Sequence, residues 1–350
     1  MRGRQYHRFP LQALSMNLQS LVFSDLFLAM PVQDSWYKAT PDSTTVEAVP
    51  ADCHAELDVL WDRLQEQQGK SGFGVVFGDS EPFRLRVERI QIANGEVLYV
   101  CRRHRLPPGP LASLGMPPNI AEQMMSGTLN SGLVVFFGRA GSGKTTTAAS
   151  FVVERLARFG GVCYTVENPV ELALQGVHGR GRCYQTEVEA DQDIGPAIRR
   201  LMRATPNLIF IGELRDGMAV AEAITAAASG HLVVTTFHAS DLVAGLSRLT
   251  RLAKFGSGEK DSAAALADVL RIGAHLDLHN YRPNEKLPGA ISEPKGTGTP
   301  KRVLTVEPIT LTSGSAGEDG VRSILREGDF HRLRSEIDRQ RRSLMMGKLP

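Results

Sequence analysis

The sequence predicts an α/β protein in which a parallel sheet flanked by helices follows a smaller domain mixing helix and strand. Three observations predict it. From residue 119 onward, apolar runs of strand length alternate with helical patterns, an order that builds parallel strands covered on both faces. The stretch GRAGSGKT, Gly138 to Thr145, follows the apolar run Leu133 to Phe137 and fits the phosphate-binding loop pattern G-x-x-x-x-G-K-[ST]. Before residue 106 the texture is different, with period-two alternation around a single Asn-Gly turn.

Taken in order, the most apolar N-terminal stretch, Leu18 to Met30, contains Ser24 and Asp25 and is shorter than the ~20 residues that cross a bilayer. Arg2, Arg4 and Arg8 precede it, but no long apolar region or small-residue cleavage site follows, so a signal peptide is not expected. Leu57, Leu60, Trp61 and Leu64 have helical spacing, and Phe83 to Val87 with Gln91 to Cys101 flank Asn94-Gly95 as a hairpin. Residues 1–105 therefore read as a small α+β domain. The run LPPGPLASLGMPP, residues 106–118, reads as a linker.

Residues 119–350 form the second domain. Expected there are the strand Leu133 to Phe137, a helix to about Phe159, a strand Val162 to Val166 and a helix around Ile194 to Arg203. Strands Leu208 to Ile211 and Leu232 to Thr236 then flank an alanine-rich helix, Met218 to Ala228. Pro283 to Lys301 and Thr312 to Gly320 read as exposed loops, and Phe330 to Arg342 as an amphipathic helix with Leu333 and Ile337 at i, i+4. No internal repeat is visible.

The 350 residues, 42% hydrophobic and 22% charged, suit a globular chain with room for two domains. A net charge of +2 argues against nucleic-acid or membrane binding by bulk electrostatics, so any such contact must be local. Cys53, Cys101, Cys163 and Cys183 lack C-x-x-C or metal-ligand spacing and read as buried reduced thiols, which suits the cytoplasm.

Chemistry concentrates around the loop. Gly138, Gly141 and Gly143 let successive N–H groups turn inward around an anion, with Arg139, Ala140 and Ser142 completing the loop. Lys144 would neutralise the β- and γ-phosphates, Thr145 would offer its hydroxyl to Mg²⁺, and Thr146 continues the positive end of the following helix. ATP with Mg²⁺ is the expected ligand. Hydrolysis needs in addition a metal ligand, a group that activates water and cations for the transferred charge.

Glu213 follows the strand Leu208 to Ile211, as the acidic residue of a Walker B element should, although Gly212 and not Asp precedes it. It is either a solvated charge or a metal ligand, and the nearby loop favours the second. Glu167 ends the strand Val162 to Val166, and Asn168-Pro169 turns the chain there, so it is a candidate general base for water. His231 and His238 bracket the strand Leu232 to Thr236. Each is either a structural histidine or, for His238 past the strand end, a hydrogen-bonding sensor of the γ-phosphate.

In this order the motifs resemble those of the type II/IV secretion and pilus motor ATPases, in particular the PilT-like branch. TVENPVEL from Thr165 resembles the family's aspartate box, Glu167 matching its catalytic glutamate and Asn168 replacing an aspartate. NLIFIGELRD from Asn207 matches Walker B with Glu213, and AAASGHLVVTTFHA from Ala226 matches the histidine box with His231 and His238. SDLFL from Ser24 resembles the start of a PAS-like N-terminal domain, and VRSILREGDF from Val321 a late family element. QTEVEAD from Gln185 departs from the QREVG of pilus retraction motors, Thr186 replacing a basic residue. In that it looks more like the Dot/Icm-type and TraJ plasmid-transfer ATPases.

The resemblance implies a RecA-like P-loop fold and a homo-hexameric ring in which Arg199 and Arg203 reach a neighbour's nucleotide. It also aligns Arg102 and Arg103 with family arginines near the nucleotide. It further implies a cytoplasmic ATPase held at the inner membrane by platform proteins, powering type IV secretion or conjugative plasmid transfer. A pilus retraction motor is the alternative within the class, and a nucleotide-gated scaffold with little turnover the alternative outside it. Direct nucleic-acid contact is not expected, since no aromatic-basic motif is present.

Overall fold

The computed structural model describes residues 17–40, 43–67, 72–78, 83–103, 108–257, 262–281, 301–311 and 318–345. The chain divides into two compact units, Met1–Arg105 and Leu106–Pro350. The expected loop at Pro283 to Lys301 lies outside the described residues apart from Lys301, and of Thr312 to Gly320 only the last three are described, where they begin a helix.

The first unit is a six-stranded antiparallel sheet with one long helix. Its elements are β1 (Asp25–Leu28), β2 (Trp36–Lys38), β3 (Glu47–Ala48), α1 (His54–Gln65), β4 (Gly72–Phe77), β5 (Phe83–Gln91) and β6 (Val97–Arg103), in sheet order β3-β2-β1-β6-β5-β4. The hairpin at Asn94-Gly95 joins β5 to β6. Leu57, Leu60 and Leu64 of α1 are fully buried, packed with Leu26, Leu28, Leu85, Val87 and Tyr99 from alternate positions of the strands. Arg103 donates to the Leu21 and Gln19 carbonyls and lies over the Phe83 ring, and Arg102 donates to the buried Asp25 at 2.7 Å. Both arginines, compared above with family arginines at the nucleotide, are engaged inside this unit.

The second unit opens with a short 3-10 turn, Leu111–Leu114, and α2 (Pro118–Met124). Leu111 and Met116 are buried in its core, so the Pro/Gly-rich run is anchored from Leu111 onward, and Pro118 starts a helix where its missing N–H costs nothing. There follow β7 (Gly132–Gly138), α3 (Lys144–Phe159), β8 (Gly161–Glu167), β9 (Gly176–His178), β10 (Gly181–Glu187), α4 (Ile194–Leu201) and β11 (Leu208–Ile211). Then come α5 (Gly217–Ala228), β12 (Leu232–His238), α6 (Leu242–Ser257), α7 (Ser262–Val269), β13 (Leu270–Tyr281), β14 (Lys301–Thr310), α8 (Glu318–Glu327) and α9 (Leu333–Met345).

The sheet order is β14-β13-β7-β12-β11-β8-β10-β9, parallel from β13 to β10 with an antiparallel strand at each edge. Successive residues of the central strands feed opposite cores. Leu133, Val135 and Phe137 pack with α4 to α9 on one face, while Val134 and Phe136 pack with α2 and α3 on the other. Strands buried on both faces must be apolar throughout, which is why these runs stand out in the sequence. Leu333 and Ile337 are buried as their spacing predicts, and all four cysteines are buried and form no disulfide.

Candidate active site

All chain segments of interest leave the sheet at one edge, where parallel strands present their carboxyl ends and bound ligands collect in such folds. After β7 the backbone enters the loop. Gly141 and Gly143 have φ of 75° and 89°, a region that side chains rarely adopt, and Gly143 caps α3. A side chain at Gly138 would collide with Ser142 Oγ and the Leu276 carbonyl. The first N–H groups of α3, from Lys144 to Thr146, have no partner within the helix and face the loop. Ser142 Oγ is buried without a hydrogen-bond partner among the described residues. Unsatisfied donors around a concave turn fit a phosphate chain, and this is the physical sense in which the residues suit ATP.

Lys144 Nζ donates to the Arg139 carbonyl at 2.8 Å, closing the loop on itself. Its pKa is lowered from the usual lysine value by burial, against the opposing pull of Glu213 and Glu171. It is thus a poorly hydrated cation, facing carboxylates and suited to an anionic ligand.

Register brings the other residues alongside. His238 pairs with Gly138 across β12 and β7, and its side chain is exposed. Ile211 pairs with both Thr235 and Val166, so Gly212 and Glu213 emerge between the ends of β12 and β8. Gly212 N–H donates to the Val166 carbonyl, Leu214 N–H to the Thr236 carbonyl and Thr236 Oγ1 to the Gly212 carbonyl, knitting the three ends together. A Cβ at position 212 would stand 3.3 Å from Glu167 Cγ. A side chain at position 212 would thus require Glu167 to give by a few tenths of an ångström, a shift that glycine avoids.

Glu167 is 1% exposed. Burial raises its pKa to about 7, although Thr165, Gln185 and the Glu171 backbone all hydrogen-bond its charged form. A carboxylate poised there can take a proton from water at neutral pH. Glu213 is more open, 27% exposed at the side chain, and accepts from Arg215 Nη2 at 2.8 Å and Nε at 3.1 Å. Arg215 also reaches Asp191 at 3.4 Å, and Asp191 accepts from Asn168 Nδ2 at 2.9 Å. An unbroken polar chain therefore runs from the residue after Glu167 to Glu213.

The hydroxyl of Thr145 and the carboxylate of Glu213 are oxygen donors of the kind that Mg²⁺ takes. Among the described residues no three His, Cys, Asp or Glu side chains converge on a metal position, so phosphate and water oxygens would have to complete its shell.

Three of the sequence-predicted residues lie elsewhere. His231 sits at the start of β12, its Nδ1 3.0 Å from the Pro206 carbonyl, at the opposite edge of the sheet. Arg199 forms an ion pair with Glu222 of α5. Arg203 is exposed on the 3-10 turn Met202–Ala204 that follows α4, and leads to the start of β11. Among the described residues neither arginine has a hydrogen bond or ion pair to the phosphate loop of its own chain. Sequence reasoning missed Gln185, Asp191 and Arg215. Only Arg215 carried a local signal, two residues after Glu213 on extended chain and hence on the same side.

The sequence profile of the family described as "Type II/IV secretion system protein" matches residues 62–326. The type II secretion system protein HxcR of Pseudomonas aeruginosa is 33% identical over 198 residues, covering 56% of this chain and 40% of that protein. The type IV pilus assembly ATPase TfpB of Acinetobacter baylyi is 37% identical over 160 residues, covering 45% of this chain and 26% of its own. The matches thus span less than half the length of these curated relatives. In fold, the chain resembles the pilus retraction motor PilT crystallised with ADP, with a TM-score of 0.68 and 22% identity over 91% of this chain and 86% of that one. It resembles the ATPase DotB of Legionella pneumophila nearly as well, at 0.66 and 20% over 93% and 85%. With its profile match, its RecA-like sheet and its motifs at one sheet edge, this chain belongs to the type II/IV secretion system protein family.

Proposed function

We propose that this chain hydrolyses ATP and, as a homo-hexameric ring, powers a type IV secretion or conjugative plasmid-transfer apparatus from the cytoplasmic side of the inner membrane. The observation that carries the reading is the meeting of an unsatisfied phosphate loop, a buried carboxylate with a raised pKa and a second carboxylate beside a cation, all at neighbouring strand ends.

Gly138 to Thr146 bind the phosphates, Lys144 offsetting charge on the β- and γ-groups. Mg²⁺, held by Thr145 and Glu213, would supply a Lewis acid for charge leaving the γ-phosphate. Glu167 takes the proton of the attacking water, and His238, beside Gly138, hydrogen-bonds the γ-phosphate. Arg199 and Arg203, which among the described residues make no bond to their own loop, act on the nucleotide of the neighbouring protomer. No helix among the described residues is long and apolar enough to cross a membrane, which supports attachment through platform proteins. Nucleic acid is not a direct ligand in this reading.

Thr186, in place of a basic residue, favours plasmid transfer over pilus retraction. Its hydroxyl donates to the Thr165 carbonyl, so it serves the sheet and leaves no cation at this position.

The test measures phosphate release by the purified chain and plasmid transfer from a donor lacking the gene, complemented with wild type or Lys144→Ala. Both readouts should be restored by wild type and lost in the variant. Phosphate release without any effect on transfer would move the assignment to pilus retraction or protein secretion. Nucleotide binding without release would favour the scaffold.

A further inference from the structure

Beyond the residues that the phosphate loop and the two strand-end carboxylates account for, one side chain touches the proposed base from a neighbouring strand. Gln185 lies on β10, whose parallel register with β8 pairs it with Thr165 and sets it diagonally beside Glu167 on the same sheet face. Its amide has only one orientation that satisfies its surroundings. Oε1 accepts from the Leu174 N–H at 2.7 Å and the Gln175 N–H at 2.8 Å, and both are obligatory donors. The NH₂ group must therefore point the other way, where it donates to Glu167 Oε1 at 2.8 Å and to the Leu172 carbonyl at 2.9 Å. The Gln175 side chain completes the clasp by accepting from the Gln185 N–H at 2.7 Å.

From this geometry we propose that Gln185 is a positioning residue for ATP hydrolysis: the backbone of residues 174–175 locks its amide so that it donates permanently to Glu167, holding that carboxylate ionised and aimed while it is buried. The proposal rests on the reading of Glu167 as the base. A donor of fixed orientation favours the charged form of a carboxylate, and a buried carboxylate has few other ways to stay charged. Without it Glu167 would hold its proton to higher pH and idle as an acid.

A purely structural role, tying the segment after the Glu167 turn to β10, is separable by chemistry. Gln185→Glu keeps an oxygen for the Leu174 and Gln175 N–H groups, but replaces the donation to Glu167 with a second carboxyl oxygen facing it. Gln185→Leu removes both the oxygen and the donation. The experiment follows single-turnover ATP hydrolysis by the full chain against pH, with affinity for a fluorescent ATP analogue measured alongside. The acid limb should move up by more than one pH unit for Gln185→Glu, where two carboxyls face each other, and by about one unit for Gln185→Leu. Starting from a midpoint of about 7, the smaller shift lowers the rate near neutrality about fivefold and leaves it almost unchanged at about pH 9. Analogue affinity should stay within about twofold, and in a Glu167→Gln background Gln185→Glu should change nothing further.

A rate lowered equally at every pH, or an additive loss in the Glu167→Gln background, would overturn the positioning role while leaving the hydrolase reading intact. Wild type that releases no phosphate at any pH would overturn both. Should Gln185→Leu fail to fold, Gln185→Glu alone decides, because it preserves the backbone clasp.

Discussion

Glu167 and Glu213 leave neighbouring parallel strands at the same sheet edge, yet their surroundings are opposite. Glu167 is enclosed, held by neutral donors, and its proton affinity is raised. Glu213 is partly open and faces the guanidinium of Arg215. Two identical side chains are thus prepared for different chemistry by environment alone, one to exchange a proton near neutrality and the other to offer charge to a cation. The proposed division of labour, base against metal ligand, follows from that difference and can be broken at either residue.

The sharpest attempt exchanges each carboxylate for its amide. Glu167→Gln keeps size and shape but cannot take up a proton, so hydrolysis should fall by about 10² to 10⁴ while ATP affinity persists. Glu213→Gln should also lose activity, but with a displaced Mg²⁺ requirement, by about 10- to 100-fold, the range for losing even an outer-sphere partner. Titrating Mg²⁺ at saturating ATP separates the two. If added Mg²⁺ rescued Glu167→Gln, the comparison would collapse into two metal ligands.

A second consequence needs no turnover. The unfolded chain releases the Glu167 proton near the ordinary glutamate value of 4.5 and the folded chain near 7, so between these values the folded state binds more protons. Stability is therefore intact below the lower value and falls as pH rises through the upper one, by roughly 3 kcal/mol at most. Glu167→Gln carries no such penalty. Its melting temperature should exceed that of wild type at about pH 8 and approach it at about pH 4.5. A difference independent of pH would mean that Glu167 is ionised in the folded chain without cost.

The contrast was only half legible in the sequence. The central strands, phosphate loop, Glu167 and Glu213 could be read because strands buried on both faces are apolar throughout and end in polar residues at one edge. Alternation failed as a guide further on. β13 leaves α7 with no turn residue between, and β10 is a half-exposed strand with Cys183 inward and Arg182 and Tyr184 outward. Gln185, Asp191 and Arg215 owe their roles to the order β11-β8-β10, which pairs segments distant in sequence. Periodicity cannot supply such pairing. Arg199 and Arg203 illustrate a subtler loss: four apart on paper, they are divided by the end of α4 at Leu201, where the chain tightens into a 3-10 turn before Thr205 at φ 50°.

Arg215 offers the finest test, because it belongs to the open side of the comparison. Its side chain is 55% exposed, and exposed ion pairs contribute about 0 to 1 kcal/mol. If it merely holds Glu213 until a metal arrives, Arg215→Ala should change hydrolysis by no more than about fivefold. The half-saturating Mg²⁺ concentration should then fall slightly, since a competing cation has gone. Asp191 would keep its bond from Asn168, so the turn after Glu167 should hold its geometry and the acid limb of the pH profile should not move. A loss of 100-fold or more would show instead that Arg215 contacts transferred charge, making the open carboxylate one half of a catalytic ion pair. A moved acid limb would show that the polar chain through Asp191 and Asn168 couples the two carboxylates, so that neither environment is set independently.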